Sequence, residues 1–368
     1  MTKLHDLYEQ HGQSVWIDYI RRNFILDGGL QEAIDAGVRG VTSNPAIFEK
    51  AIAHSDDYDT QMQQLVAEGK SAEEIYEALA IEDIQQAADV LRPVYDESNG
   101  VDGYVSLEVN PTLARDTDGT IAEARDLYKK VNRPNVMIKV PATDEGIPAI
   151  KTLIGDGINV NVTLMFSLQD YDNVAGAYLD GLEILASNGG DLSKVASVAS
   201  FFVSRVESDM DDAIEAQGAT DLLGTIAVAN TKLAYQRFET CFSGDRWQAL
   251  ADKGARVQRP LWASTSTKND AYSDVKYVEE LIGPHTVNTM PPNTKEAFVD
   301  HGTVARTIDT DLETAQAVVD KLADVGIDYD AITQNLQDVG VEKFEKPFAS
   351  LMESIRQKRE KFAQGANQ

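Results

Sequence analysis

The chain has 368 residues and a formal net charge of −27, from 60 acidic and 33 basic residues. A surface this acidic repels nucleic acid and anionic membranes, so neither is expected as a partner. An anionic substrate would need a local cluster of positive groups at its own binding site.

The composition is that of a globular protein, with 43% hydrophobic and 25% charged residues. Cys241 is the only cysteine, which excludes an internal disulfide and fits a reducing compartment. No apolar stretch approaches the ~18–20 residues that span a membrane. We therefore expect a cytoplasmic protein.

Eight strand-like segments alternate with helical segments. This alternation is typical of parallel strands, either in a closed barrel or in a doubly wound sheet. No Gly-x-Gly-x-x-Gly follows the first strand, and eight strands suit a barrel of ~250 residues plus insertions. We therefore predict an α/β fold of the (β/α)8 TIM-barrel type. The predicted strands lie near 13–18, 38–44, 104–109, 135–140, 158–164, 195–201, 258–264 and 285–290, and the helices include 121–131, 146–154, 168–186, 203–216 and 225–240.

Two helical additions to the barrel are predicted. The segment at about 45–103 is too long for one crossover helix, and it includes a helical stretch at 72–92. The tail at about 341–364 carries apolar residues near helical spacing, from Phe344 to Phe362, which indicates an amphipathic helix against the body or a partner. No linker composition separates these segments, so we predict a single domain over 1–368.

Lys139 lies within a short apolar run at 135–141, at strand periodicity. Burial disfavours the charged form of an amine, and the uncharged amine is the nucleophile toward carbonyl carbon. Taken alone, the run fits equally well an edge-strand lysine whose side chain reaches solvent. The other strands weigh against that alternative.

On four other strands, polar residues alternate with Val, Leu and Ile as Lys139 does on its own strand. The polar residues are therefore expected on the same face of the sheet as Lys139. Alternate residues of a barrel strand face the interior, and polar residues at strand C-termini are typical of catalysis. An antiparallel sheet with one solvated face would show the same alternation, but the long helical crossovers argue against it. The polar residues predicted at the barrel mouth with Lys139 are Asp18, Asn44, Glu108, Asn161 and Thr163.

These side chains suit an amine nucleophile that acts on a ketone. The amine adds, water is lost, and the resulting iminium accepts the electrons of a neighbouring carbon–carbon bond as that bond breaks. Asp18 and Glu108 can supply the proton transfers. The residues suited to hold hydroxyls or a water are Asn44, Asn161, Thr163 and Ser200.

Three segments resemble the transaldolase family. Two resemble its signatures, GVTSNPAIF at 40–48 and IKVPATDEGI at 138–147, and a third, NVNVTLMFS at 159–167, is similar to its fifth strand. The similarity runs from about Ser14 to Met290. It implies a (β/α)8 barrel that moves a dihydroxyacetone unit between phosphosugars in the non-oxidative pentose phosphate pathway, without a cofactor. The implied donors are sedoheptulose 7-phosphate or fructose 6-phosphate, and the implied acceptors are glyceraldehyde 3-phosphate or erythrose 4-phosphate.

The resemblance also implies roles for individual residues. Lys139 would form the Schiff base, and Asp18 would be the acid and base of carbon–carbon cleavage. Glu108 with Thr163 would hold the water of imine formation and hydrolysis. The residues implied to bind the intermediate or its phosphate are Asn44, Asn161, Ser200, Phe202 and Arg205.

The region after the seventh strand departs from the family pattern. Many members carry a second phosphate-binding arginine there, whereas this chain has WASTSTK at 262–268. Lys268 is predicted to replace the arginine as a point charge, together with the hydroxyls of Ser264 and Ser266.

Three other functions are alternatives to transfer. A metal-dependent aldolase is disfavoured because the five histidines show no paired ligand spacing, so no metal is expected. A simple aldolase on the same scaffold would release free dihydroxyacetone. A non-catalytic sugar-phosphate-binding protein would keep the site without turnover. The sequence does not decide between a monomer and a homodimer.

Overall fold

A closed barrel of eight parallel strands forms the centre of the protein, in a computed structural model that describes residues 1–365. Consecutive strands pair with each other, and the last pairs with the first. The predicted (β/α)8 TIM barrel is confirmed. The strands are β1 (Gln13–Asp18), β2 (Val38–Thr42), β3 (Tyr104–Glu108), β4 (Val136–Pro141), β5 (Val160–Met165), β6 (Ser197–Phe202), β7 (Arg259–Ala263) and β8 (Thr286–Met290).

Helices connect the strands and cover the outside of the barrel, where apolar side chains of both elements form one continuous core. None of the helices within residues 1–365 has the length and apolarity that crossing a bilayer requires. In chain order the helices are α1 (Lys3–His11), α2 (Arg22–Leu26), α3 (Gly29–Asp35), α4 (Pro45–Ala53), α5 (Asp59–Ala67), α6 (Ala72–Glu97), α7 (Thr117–Val131), α8 (Gly146–Gly155), α9 (Leu168–Ser187), α10 (Ser204–Gln217), α11 (Ile226–Cys241), α12 (Asp245–Ala251), α13 (Lys276–Glu279), α14 (Pro292–His301), α15 (Leu312–Asp324) and α16 (Tyr329–Gly365).

Three strands end earlier than predicted; β3 ends one residue early, at Glu108, and β2 and β7 each end early for a local reason. β2 ends at Thr42 because Asn44 is the N-cap of α4, where its side chain accepts a hydrogen bond from the Ile47 amide at 3.0 Å. β7 ends at Ala263 because Ser264 has a φ of +57°, outside the strand region. Both residues therefore start the loops that follow their strands.

The register of the strands groups three predicted site residues. Glu108 on β3 pairs with Lys139 on β4, and Lys139 pairs with Asn161 on β5. Paired residues of parallel strands point to the same side of the sheet, so the three side chains share the barrel interior. All three are buried.

The N-terminal end of the barrel is closed by a charged network around Asp102. Arg39 and Arg259 contact its carboxylate at 2.9 and 3.0 Å. Trp16 donates its indole N–H to the same carboxylate at 3.1 Å. The Trp16 ring fits only because Gly40 has no side chain, since a Cβ there would lie 2.5 Å from it. This end of the barrel is therefore packed and closed.

The predicted helical segment at 45–103 contains α4, α5 and α6, and α16 packs against all three. α6 has a Ser71–Glu74 capping box and continues through Pro93 to Glu97, beyond the predicted end at 92. α16 begins at Tyr329, earlier than the predicted 341, because the Asp328 carboxylate accepts a hydrogen bond from the Ala331 amide and caps the helix.

Candidate active site

A cavity opens at the C-terminal ends of the strands, where (β/α)8 barrels carry their active sites. We call it the mouth cavity; its volume is about 90 Å³. Eight predicted site residues line it, whereas Glu108, Asn161 and Lys268 do not. The lining residues are Asp18, Thr42, Asn44, Lys139, Thr163, Ser200, Phe202, Arg205, Ala263, Ser264, Thr289 and Phe344.

Lys139 holds its amine at the wall of the mouth cavity. Its Nζ lies 3.4 Å from Glu108 Oε2 and donates a hydrogen bond to the Ser43 carbonyl at 3.2 Å. The residue is only 5% exposed, and the Phe344 ring lies over Nζ at 5.4 Å. The lysine is thus buried in the barrel interior as predicted, and a proton passed to Glu108 would leave a neutral amine beside the cavity.

Glu108 titrates near neutral pH. Burial raises the pKa of its carboxyl to about 7, against the opposing effect of Lys139. Apart from the contact with Lys139, its buried Oε2 has no hydrogen-bond partner among the described residues. Thr163 Oγ1 is also buried without a partner in this part of the chain. Both oxygens therefore keep hydrogen-bonding capacity for a water or a substrate hydroxyl.

Asp18 lies at the end of β1 and faces the mouth cavity. Its Oδ1 accepts a hydrogen bond from Thr42 Oγ1 at 2.7 Å, and Thr42 Oγ1 lies 2.6 Å from Thr289 Oγ1. Burial raises the pKa of the Asp18 carboxyl, although Lys139, Thr42 and Arg205 oppose this effect. A carboxylate with a raised pKa is a stronger base, so Asp18 is suited to take a proton from a hydroxyl.

The polar side chains of β5 and β6 lie deeper than Asn44. Ser200 Oγ donates to Asn161 Oδ1 at 2.7 Å, and Asn161 Nδ2 donates to Ser106 Oγ at 2.9 Å. Asn161 is therefore bound to protein groups and lies beneath the cavity floor. Asn44 uses its Oδ1 to cap α4, which leaves its Nδ2 group to bind a hydroxyl in the cavity.

Arg205 is the second cation of the mouth cavity. Its guanidinium stacks against Phe202 at 5.0 Å and Phe344 at 5.8 Å. Burial lowers its pKa, but an arginine remains charged at neutral pH. Its buried Nη1 has no hydrogen-bond partner within residues 1–365. A guanidinium in this setting is suited to bind an anion such as a phosphate.

The loop after β7 provides the other predicted phosphate contacts. Ser264 lines the mouth cavity, with its Oγ 2.8 Å from Ser204 Oγ. Lys268 lies outside the cavity, and its Nζ donates to Ser266 Oγ at 3.3 Å. Partial burial and then Arg205 lower the pKa of Lys268, so the two cations are close enough to interact. Lys268 can thus contribute a charge at the rim of the cavity.

Sequence reasoning missed several residues that line the cavity. Thr42 has the same strand parity as Asn44, so the alternation could have identified it. Thr289 lies on the same face of its strand as the buried apolar Val287, so the sequence pattern does not predict a polar interior position there. Phe344 reaches the site from α16, far along the chain, and its apolar spacing indicated only a packed helix.

Comparison with known proteins identifies the family. A family described as Transaldolase/Fructose-6-phosphate aldolase matches residues 15–355. The chain belongs to this family. A protein of Trichodesmium erythraeum named Transaldolase is 49% identical over 364 residues, which cover 95% of this chain and 96% of the relative. A protein of Acidothermus cellulolyticus with the same name is 50% identical over 348 residues, or 94% of each chain. A Nostoc protein named Transaldolase 2 is 48% identical over 365 residues, or 95% and 96% of the two chains.

Membership of the transaldolase/fructose-6-phosphate aldolase family confirms the resemblance drawn from residues 40–48, 138–147 and 159–167. The matched region reaches residue 355, beyond the similarity predicted to end near Met290. It therefore includes most of α16 and the Phe344 ring that covers Lys139 and Arg205.

Proposed function

We propose that this protein is a transaldolase that transfers a dihydroxyacetone unit through a Schiff base on Lys139. The donor is a ketose phosphate, sedoheptulose 7-phosphate or fructose 6-phosphate. The acceptor is an aldose phosphate, glyceraldehyde 3-phosphate or erythrose 4-phosphate, as in the non-oxidative pentose phosphate pathway. The observation that carries this proposal is the buried Lys139–Glu108 pair, with Nζ and Oε2 3.4 Å apart at the barrel mouth.

Imine formation is assigned to Lys139, Glu108 and Thr163. The neutral amine adds to the C2 carbonyl of the donor, and the carbonyl oxygen leaves as water once it is protonated. Glu108, with a pKa of about 7, is suited to donate that proton and to accept one when the imine is hydrolysed. The unpartnered Thr163 hydroxyl supports its role in holding the water.

Carbon–carbon cleavage is assigned to Asp18. It removes the C4 hydroxyl proton, the C3–C4 bond breaks, and the bond electrons move into the iminium to give an enamine on Lys139. The aldose phosphate leaves, and the enamine then attacks the aldehyde carbon of the acceptor. Asp18 returns its proton to the new hydroxyl. Its raised pKa and its hydrogen bond from Thr42 support this role.

Binding of the sugar is assigned to the remaining polar groups of the site. Arg205 is proposed to bind the phosphate directly, and Lys268 with Ser264 to add charge and hydroxyls at the rim. The Asn44 amide and the Ser200 hydroxyl are proposed to hold hydroxyls of the intermediate, with Asn161 supporting Ser200 through their 2.7 Å hydrogen bond. Phe202 would pack against the sugar chain, since its ring lines the cavity beside Arg205.

Transfer, as opposed to release of free dihydroxyacetone, is supported by the relatives that are named Transaldolase. The family description also includes fructose-6-phosphate aldolase, so the two activities need a direct comparison. Incubation of the protein with fructose 6-phosphate, with and without erythrose 4-phosphate, separates them. Product that forms only with the acceptor supports transfer, whereas free dihydroxyacetone formed at a similar rate without it supports an aldolase.

Borohydride trapping tests the Schiff base. Reduction in the presence of fructose 6-phosphate should attach the donor-derived group to Lys139, and peptide mapping locates it. Lys232 provides an internal control, because it is also buried but lies outside the mouth cavity. An adduct on Lys232, or an adduct that persists in Lys139→Ala, would refute the assignment.

The compartment and assembly are proposed on general grounds. The single cysteine fits the reducing cytoplasm. The proposed assembly is a monomer or a homodimer.

A further inference from the structure

A second cavity lies outside β3, between α6, α7 and α16, and has a volume of about 320 Å³. We call it the side cavity. Its outer end is formed by the exposed side chains of Glu73 and Arg356, and its inner end by the buried residues Leu107 and Glu108. The side cavity therefore leads from the protein surface to Glu108.

The Lys139–Glu108 pair lies at the boundary between the two cavities. Lys139 lines the mouth cavity and not the side cavity, and Glu108 lines the side cavity and not the mouth cavity. Their charged groups are nevertheless only 3.4 Å apart. The amine thus faces the space assigned to the sugar, while Glu108 is a wall residue of a second cavity that reaches the protein surface.

We propose that the side cavity is the route by which water reaches and leaves Glu108, separate from the sugar entrance. This inference rests on the proposed transaldolase chemistry. When the imine forms, the ketone oxygen leaves C2 as one water; when the imine is hydrolysed, one water supplies the oxygen of the new carbonyl and the lysine amine is released. Both steps occur with a sugar chain in the mouth cavity, whose volume of about 90 Å³ and whose Phe344 ring, 5.4 Å from Lys139 Nζ, leave little space for water to pass a bound sugar.

The charges of the side cavity favour water over the sugar phosphates. Glu73, Glu77 and Glu123 line it, and its cation, Arg356, is paired with Glu73 at 2.9 Å. Carboxylates repel a phosphorylated sugar but admit a neutral water. The mouth cavity is positively charged near Arg205, whose buried Nη1 has no partner among the described residues and can bind a phosphate.

The wall of the side cavity is built by the helical additions to the barrel. The Tyr76 ring of α6 packs edge-on against Phe48 of α4 at 6.2 Å and Phe348 of α16 at 5.4 Å. These contacts hold α16 against the segment at 45–103 and leave the cavity between them. The proposal therefore gives this segment and the C-terminal helix a shared role beyond packing.

Oxygen exchange measures the route directly. Fructose 6-phosphate labelled with ¹⁸O at C2 is incubated with the protein in ordinary water, and loss of the label is followed by mass spectrometry. The rate of borohydride trapping at Lys139 is measured in parallel, because it reports imine formation whether or not the released water escapes. The decisive quantity is the ratio of label loss to trapping.

Two variants narrow the side cavity from opposite walls, Ile81→Trp from α6 and Met352→Trp from α16. We expect the ratio of label loss to trapping to fall by about tenfold in each variant. This is less than the roughly 100-fold or larger factor that a positioned acid or base contributes, because Glu108 itself is kept. Ala78→Trp is the matched control, since Ala78 is on α6 but does not line the cavity; its ratio should equal that of the wild type. Circular dichroism establishes that each variant is folded.

The outcomes separate this inference from the proposed function. An unchanged ratio in either folded cavity-narrowing variant would overturn the water route while leaving the Schiff base intact. Absence of both label loss and trapping in the wild-type protein would overturn the transaldolase proposal itself, and the route with it. An equal fall in the Ala78→Trp control would also overturn the route, because the effect would then not depend on the cavity.

Discussion

Lys139 Nζ and Glu108 Oε2 lie 3.4 Å apart on adjacent, register-paired strands, and both side chains are buried. Lys139 has a second partner in the Ser43 carbonyl, whereas the buried Oε2 of Glu108 has no partner besides the lysine among the described residues. Removal of one member of such a pair leaves the other buried without compensation. Burial of the carboxyl group therefore destabilises its charged form and raises its pKa.

Glu108→Gln is expected to change how stability depends on pH. Folding raises the Glu108 pKa from 4.5 to about 7, so the folded state binds more protons between these values and the wild-type protein loses stability as pH rises through them. Glutamine removes this titration. The variant should gain on the order of 1–3 kcal/mol relative to the wild type between about pH 5 and pH 8. Denaturant midpoints measured at both pH values test this; a difference that does not vary with pH would contradict it.

Arg205→Ala is expected to weaken binding of phosphorylated donors selectively. A hydrogen bond to a charged group contributes about 1.5–3 kcal/mol, so KM for fructose 6-phosphate should rise by roughly 10- to 100-fold. KM for unphosphorylated fructose should change little. Lys268→Ala is the comparison, and its effect should be smaller because Lys268 lies at the rim and is more exposed. Equal effects of Arg205→Ala on both sugars would remove its phosphate role.

The barrel could be predicted because its evidence is local. Apolar and polar residues alternate within single strands, so the parity of Asp18, Glu108 and Lys139 was available without any knowledge of long-range contacts. The same reasoning placed Asn161 correctly in the interior. It could not show that Asn161 is bound to Ser106 and Ser200, because those partners come from other strands.

The covering of the site could not be predicted, because it depends on long-range packing. Phe344 lies over Lys139 only because α16 packs on the helices at 45–103 and crosses the barrel mouth. Its sequence pattern shows an apolar helix face and does not show what that face contacts. The side cavity is likewise a space between α6, α7 and α16, and α16 is distant in sequence from the other two helices. The ends of β2 and β7 were missed for a smaller reason, namely a helix cap at Asn44 and a positive φ at Ser264.

Phe344→Ala is expected to impair turnover more than its effect on stability explains. The ring covers the Lys139 amine and the Arg205 guanidinium, so its loss admits water and loosens both groups, and misplacement of such groups can cost up to about 100-fold in rate. Leu351→Ala on the same helix is the control, because Leu351 is fully buried but does not line the mouth cavity. Each truncation should cost about 2–5 kcal/mol in unfolding free energy. If kcat/KM falls equally in both variants, Phe344 has only a packing role.

Asp102→Asn is expected to destabilise the barrel without altering catalysis. The change leaves Arg39 and Arg259 without their shared carboxylate at the end of the barrel opposite the mouth cavity, and a broken buried ion pair costs about 3–5 kcal/mol.

Burial alone would raise the pKa of Asp102, but the two arginines outweigh it and hold the pKa below 3.8. The native carboxylate therefore stabilises the protein above about pH 4, and this contribution is lost as pH falls through the lowered pKa. Denaturant unfolding of both proteins should show a large difference at neutral pH that shrinks in acid. Ser14→Ala keeps the carboxylate but removes the hydrogen bond that Ser14 donates to it at 2.7 Å and the one that Ser14 accepts from Arg259 at 2.8 Å, and it should cost about 1–3 kcal/mol. A lower kcat for folded Asp102→Asn would show instead that the network acts on the site across the barrel.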